Sequence, residues 1–233
     1  MKTFLKLGGI AALLHAAAYI VGIILGVTLI FPILDASPSQ YVAFVAENQT
    51  LVDIWNLISY WGSAITLVAM VLALYHRLKS ESPALVQMAT VFGLIWAALI
   101  IGSANLMLRD SGVIVSLYGK DPVQATALWP MLEAVENGIV SGNELVGSLW
   151  VLLISIAALR TSGFARTINY FGVAVSVAGI LTMIPALVET TRMIFGLGMI
   201  VWSIWLGIVL LRSNPVKVES PAFQSLKSIQ PAQ

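Results

Sequence analysis

The sequence predicts an all-α polytopic membrane protein, with six transmembrane helices and both termini in the cytoplasm. Three observations predict it. Of 233 residues, 59% are hydrophobic and only 10% are charged, where soluble chains run nearer 45–50% and about 25%. Six stretches reach the roughly 20 apolar residues that a crossing of about 30 Å requires. Basic residues gather on one side of those stretches, as the positive-inside rule demands. A spanning segment must satisfy its own backbone hydrogen bonds, which favours helices, and the alternating pattern of a membrane barrel is absent.

The first helix is expected over residues 7–31. Lys2 and Lys6 give it a basic start, but its apolar run outlasts the 7–15 residues of a secretory signal. Cleavage after Ala36 would put Leu34 where a small residue belongs, so a retained helix is expected. His15 lies eight residues past Leu7, about 12 Å deep. Ala18, Gly22 and Gly26 share its face in a small-xxx-small series that lets another helix approach closely.

The second helix is expected over 51–75 and the third over 84–108. The second carries Asp53, Asn56, Tyr60 and Ser63 at offsets that place all four on one face. A short basic turn joins the two, so they form an antiparallel hairpin. The loop 109–137 is the longest connection. Within it Asp121-Pro122 reads as an N-cap followed by proline at the first helical position. A short interfacial helix over 122–135 is expected, with Leu128, Trp129, Met131 and Leu132 on the membrane surface. The fourth helix (139–159) would continue a polar stripe through Asn137, Ser141, Glu144 and Ser148. A second basic turn leads to the fifth helix (168–187), and the sixth follows over 193–211. Phe92-Gly93 and Phe171-Gly172, on the two returning helices, hint at a duplicated hairpin. The polar, proline-bearing tail 213–233 reads as disordered.

With the N-terminus inside, the inner segments hold nine of the 12 Lys and Arg residues, and the outer segments hold Arg109, Lys120 and Arg192. The acids divide the other way. Only Glu81 and Glu219 are inside, and the remaining nine make the outer face negative, attractive to cations.

Polar groups within the spans are the functional candidates, because lipid penalises them. Glu144 lies sixteen residues above Arg160, about 24 Å up and ~6 Å inside the outer edge of the hydrocarbon. A carboxylate there needs a partner, and Arg109, Arg192, Tyr60 and Asn56 are within reach of expectation. The candidate ligand-binding set is Glu144, Ser141, Ser148, Asp53, Asn56, Tyr60, Arg109, Arg192 and His15. Each has a plainer reading: Glu144 as an ion pair that fixes helix packing, His15 as a hydrogen-bond donor to a neighbouring Ser, Thr or Tyr. No catalytic residue, metal ligand or cofactor is expected. There is no Cys, and the two histidines, His15 and His76, lie at different depths. Glu133, Glu136 and Glu189 could hold a cation weakly or form a solvated face. The seven Trp fit an aromatic belt. No phosphate loop, nucleophile elbow or kinase signature occurs, and a net charge of +1 gives no case for nucleic acid.

Several stretches carry a resemblance. Gly8-Gly9-Ile10-Ala11-Ala12-Leu13-Leu14, running on to Tyr19-Ile20-Val21-Gly22-Ile23, is similar to the start of the bacterial membrane family called domain of unknown function 4386. Leu72-Ala73-Leu74-Tyr75 before a basic turn, Leu149-Trp150-Val151-Leu152-Leu153 leading to Arg160, and Trp202-x-x-Trp205-Leu206-Gly207 fit it too. The resemblance implies a six-helix bacterial inner-membrane protein with no assigned activity. On function, the residues favour a non-enzymatic permease-like or accessory protein whose outer polar pocket takes a small molecule, a cation or a lipid. The alternatives are a membrane enzyme acting on lipid or quinone head groups and a purely structural or regulatory bundle. Protein partners are not legible.

Overall fold

The computed structural model describes residues 2–34, 36–160 and 164–212, and the expected disordered tail lies outside them. The described residues are all helical apart from short turns and bends. Helix α1 (Lys2–Leu25) runs on through a π-helical segment, π1 (Gly26–Ile30), into α2 (Phe31–Leu34). Then come α3 (Pro38–Asn56), π2 (Leu57–Gly62), α4 (Ser63–Leu78), α5 (Pro83–Tyr118), α6 (Pro122–Val140), α7 (Asn143–Leu159), α8 (Arg166–Leu181) and α9 (Val188–Arg212). Five continuous helical stretches are long and apolar enough to cross a membrane: Thr3–Ile30, Pro38–Leu78, Pro83–Tyr118, Pro122–Leu159 and Val188–Arg212. The sixth, α8, is apolar but shorter. It stops at Leu181, not at residue 187, because Pro185 cannot continue a helix and restricts the residue before it. Tight turns finish it, with the Met183 and Ile184 amides donating to Ile180 and Leu181 at 3.2 and 3.0 Å.

The six long helices close into a ring in chain order. Each of α1, α4, α5, α7, α8 and α9 packs against the next, and α9 packs back against α1. Large apolar side chains such as Leu14, Ile24, Ile65, Val91 and Val201 face outward, as a lipid-facing surface requires. Inside, the axis is filled. Trp96, Trp150 and Trp202 are buried with ring centroids 5.9 and 5.6 Å apart, and Phe195 lies 6.2 Å from Trp96. The expected aromatic belt is therefore corrected, since these three indoles belong to the core. Gly147 makes their packing possible, because a Cβ there would meet the Trp96 ring at 2.7 Å. At the end of the ring that bears the termini, Arg77 stands over the Phe164 ring at 5.4 Å and ties the two basic turns together.

The opposite, distal end departs most from expectation. The segment expected as loop 109–137 is largely helix. Helix α5 continues to Tyr118, so its 36 residues extend about 54 Å. Helix α3 begins thirteen residues before residue 51, capped by Ser37, which exchanges hydrogen bonds with Gln40. Helix α6 starts at the expected Asp121 cap, where the Gln124 amide donates to Oδ1 at 3.0 Å, but runs to Val140. These three segments share a second core of Val42, Val45, Ile114, Ala125 and Trp129. Trp129 stacks on Tyr41 at 4.3 Å instead of lying on a membrane surface, while Met131 remains exposed. Between α6 and α7, Gly142 adopts φ +93°, the one positive φ among the described residues. That conformation suits glycine because it has no Cβ to clash.

Candidate functional site

The polar residues concentrate where the main bundle meets the distal cap, around π2. A π segment leaves backbone carbonyls without their ordinary helical partners, and local side chains take them up. The Ser63 hydroxyl donates to the Ser59 and Tyr60 carbonyls at 2.6 and 2.9 Å. The Thr66 hydroxyl lies 2.9 Å from those of Gly62 and Ser63. His15 reaches the same strip. A carbonyl can only accept, so Nδ1 carries the proton and donates to Ser63 at 2.9 Å. Its ring rests against Tyr19 at 4.9 Å, and Nε2 meets no protein partner. The sequence suggested a Ser, Thr or Tyr partner, and the acceptor is the main-chain carbonyl of Ser63, the first residue of α4. From the same helix pair, Trp55 donates through Nε1 to the Gly22 carbonyl at 2.8 Å. Gly22 is packed so closely on Ser59 that a Cβ would not fit.

Above this strip stands Glu144, in the first turn of α7. Helix N-termini favour negative charge, and Arg192 of α9 reaches Glu144 Oε1 with its Nε at 2.9 Å. The carboxylate is largely covered and the guanidinium half exposed, so the pair closes the site toward the distal side. Of the partners expected for Glu144, the structure selects Arg192. Tyr60 lies in the field of Glu136, Glu144 and Arg192, and Tyr19 in that of Tyr60 and Glu144.

Several buried polar atoms have no hydrogen-bond partner among the described residues: the oxygens Asp53 Oδ1, Asn56 Oδ1, Asn143 Oδ1 and Glu144 Oε2, and the Ser59 and Ser111 hydroxyls. An unsatisfied buried polar group costs about 1–3 kcal/mol. Among the described residues no three His, Cys, Asp or Glu side chains stand together as a metal would need.

Next to this set, Asp110 of α5 and Glu136 of α6 are hydrogen-bonded to each other. Asp110 lies past residue 108, the expected end of the third crossing, and Glu136 lies before residue 139, the expected start of the fourth. Two carboxylates repel, so their bond requires a shared proton. Burial, and then the Asp110 charge beside it, push the Glu136 carboxyl up to about 8. Burial raises Asp110 as well. Asp110 belonged to no expected set, and Glu136 was expected only in a weak cation site or a solvated face with Glu133 and Glu189. The signal was present in Val113, Ile114, Val115, Leu117 and Tyr118, an apolar run past Arg109 that continues the third helix and carries Asp110 with it.

The remaining expected residues are elsewhere. The stripe from Asn137 to Ser148 presupposed one straight helix, and Gly142 breaks it. Ser141 therefore sits exposed in the turn, its amide bonded to the Asn137 carbonyl at 2.9 Å. Ser148 is fully buried and packed against Gly179 of α8, as Ser155 is against Gly172. Arg109 faces outward on α5 and lines, with Lys120, a groove of about 520 Å³.

No curated protein and no solved structure matches the chain. The family described as Domain of unknown function (DUF4386) matches residues 7–213, and the protein belongs to that family.

Proposed function

We propose that the protein is a bacterial inner-membrane protein of six crossings, with both termini in the cytoplasm. In this reading its distal half binds a small, donor-rich ligand, of which an organic cation is the best fit, and it acts without catalysis as a permease-like or accessory component. The observation that carries the reading is the set of unpartnered buried oxygens, Asp53 Oδ1, Asn56 Oδ1, Asn143 Oδ1 and Glu144 Oε2, on the distal parts of their helices. A ligand bearing several N–H groups would satisfy them, and the acidic outer segments would draw it in. The aromatic column of Trp96, Trp150 and Trp202 lies below and makes this a one-sided site. Carriage across the membrane would require those rings to part. The nine basic residues of the expected inner segments support the orientation.

The purely structural reading is favoured by one specific observation, the Glu144–Arg192 ion pair. The two readings separate in one experiment. Thermal stability of the detergent-purified protein is measured beside Glu144→Gln against alkylammonium, polyamine and metal cations. A bound cation at 100 times its Kd stabilises by about 2.7 kcal/mol. Stabilisation of wild type but not of the variant is the expected result. If no cation moves either protein and the variant only melts earlier, Glu144 is a packing residue and the ligand-site proposal fails.

A further inference from the structure

The outer face of α5 carries a feature independent of the polar residues around π2. Helix α5 presents one exposed stripe, recurring every three or four residues, from Val91 through Ile95, Ala98, Gly102 and Asn105 to Arg109, the half-buried Gly112 and Ser116. That spacing keeps the stripe on a single helix face. Its lower part is apolar, with Val91 and Ile95 about half exposed. Its upper part is the groove of about 520 Å³, walled by Leu108, Val113 and Leu117 and bounded by Arg109 and Lys120. Gly102 and Gly112 keep the stripe low, and a Cβ at either would meet no atom within 4 Å.

Charge identifies the occupant. Only three basic residues lie at the distal end among the described residues. Arg192 is engaged with Glu144, while Arg109 and Lys120 have no ion pair and flank the same groove. Two unpaired cations in an otherwise acidic region attract an anion. The exposed apolar residues below them, Val91 and Ile95, suit a hydrocarbon chain, and Arg109 stands one residue beyond the expected end of the crossing, at headgroup level. A free anion would make no use of that apolar face.

We propose that this face of α5 binds an anionic phospholipid of the distal leaflet. Arg109 and Lys120 hold the headgroup phosphate. Asn105, one turn below, faces the ester region, and the acyl chain lies over Gly102 and Ile95. Arg109 suits the task because its planar fork matches phosphate oxygens.

Native mass spectrometry of the full-length protein in detergent tests this, with phosphatidylglycerol and phosphatidylcholine offered at equal concentration. Wild type is expected to retain phosphatidylglycerol roughly tenfold better, the ratio that a charge-assisted contact supplies. The Arg109→Gln/Lys120→Gln variant should lose that preference. Gly112→Phe, which fills the groove in open space, should retain neither lipid while melting at the wild-type temperature. A double variant that keeps the wild-type preference for phosphatidylglycerol would overturn the proposal. So would displacement of the lipid by equimolar inorganic phosphate, which would make the groove a free-anion site. A dimer abolished by Gly112→Phe, with lipid retention unchanged, would assign the face to a second copy of the chain instead.

Discussion

The shared proton between Asp110 and Glu136 has a measurable signature. Glu136 titrates near 8 in the folded protein, against an ordinary value of 4.5. The folded state therefore binds this proton more tightly than the unfolded chain does. Its stabilisation is fully present below about 4.5 and is lost as pH rises through about 8. The melting temperature should fall across that window. In Asp110→Asn the fall should be shallower, because the amide removes the neighbouring charge. A pH profile identical in the two proteins would show that the pair does not share a proton. Residue identity carried some of the chamber into view: Glu144, Tyr60, Asp53 and Asn56 were legible as polar groups in apolar surroundings. Asp110 was hidden because a charge beside Arg109 looked like the end of a helix, and only the apolar residues beyond it say otherwise.

At the scale of elements, the difference between expectation and structure lies in where helices stop. Hydropathy locates membrane-thick apolar stretches but does not register helices that rise out of the lipid. Thus α5 and α3 overrun their expected limits to build the cap. Gly142 shows the converse. Residues 122–159 read as helix-forming almost throughout, and a single residue at φ +93° divides them. Any residue with a Cβ is strained there, at about 1–2 kcal/mol, although no atom lies near enough to clash. Gly142→Ala should lower stability by that amount in thermal unfolding, whereas Gly138→Ala, also in open space but inside α6, should be neutral or stabilising. Equal effects at both positions would deny that the left-handed turn is what holds the cap on α7. The two π segments had no sequence signature of their own. Ser59 of π2 packs on Gly22, a tertiary contact between helices far apart in the chain that periodicity does not reveal.

For the molecule as a whole, composition was enough for the class, and charge for the proposed orientation. The ring order was not legible beyond its two short hairpins, since nothing in a single sequence says that the last helix returns to the first. The contact is close, with the main chains of Gly9 and Gly207 directly opposed. Gly9→Val should lower the melting temperature, because a Cβ there would meet Leu211 at 2.7 Å and the Gly207 carbonyl at 3.0 Å. An unchanged melting temperature would open the ring. Because Gly8 and Gly9 lie against Leu210 and Leu211, the beginning and end of the bundle emerge side by side. A split fluorescent reporter fused to the two ends should assemble without a long tether, and a circularly permuted chain, joined there and reopened at the exposed turn after α6, should close the same ring from a different starting helix.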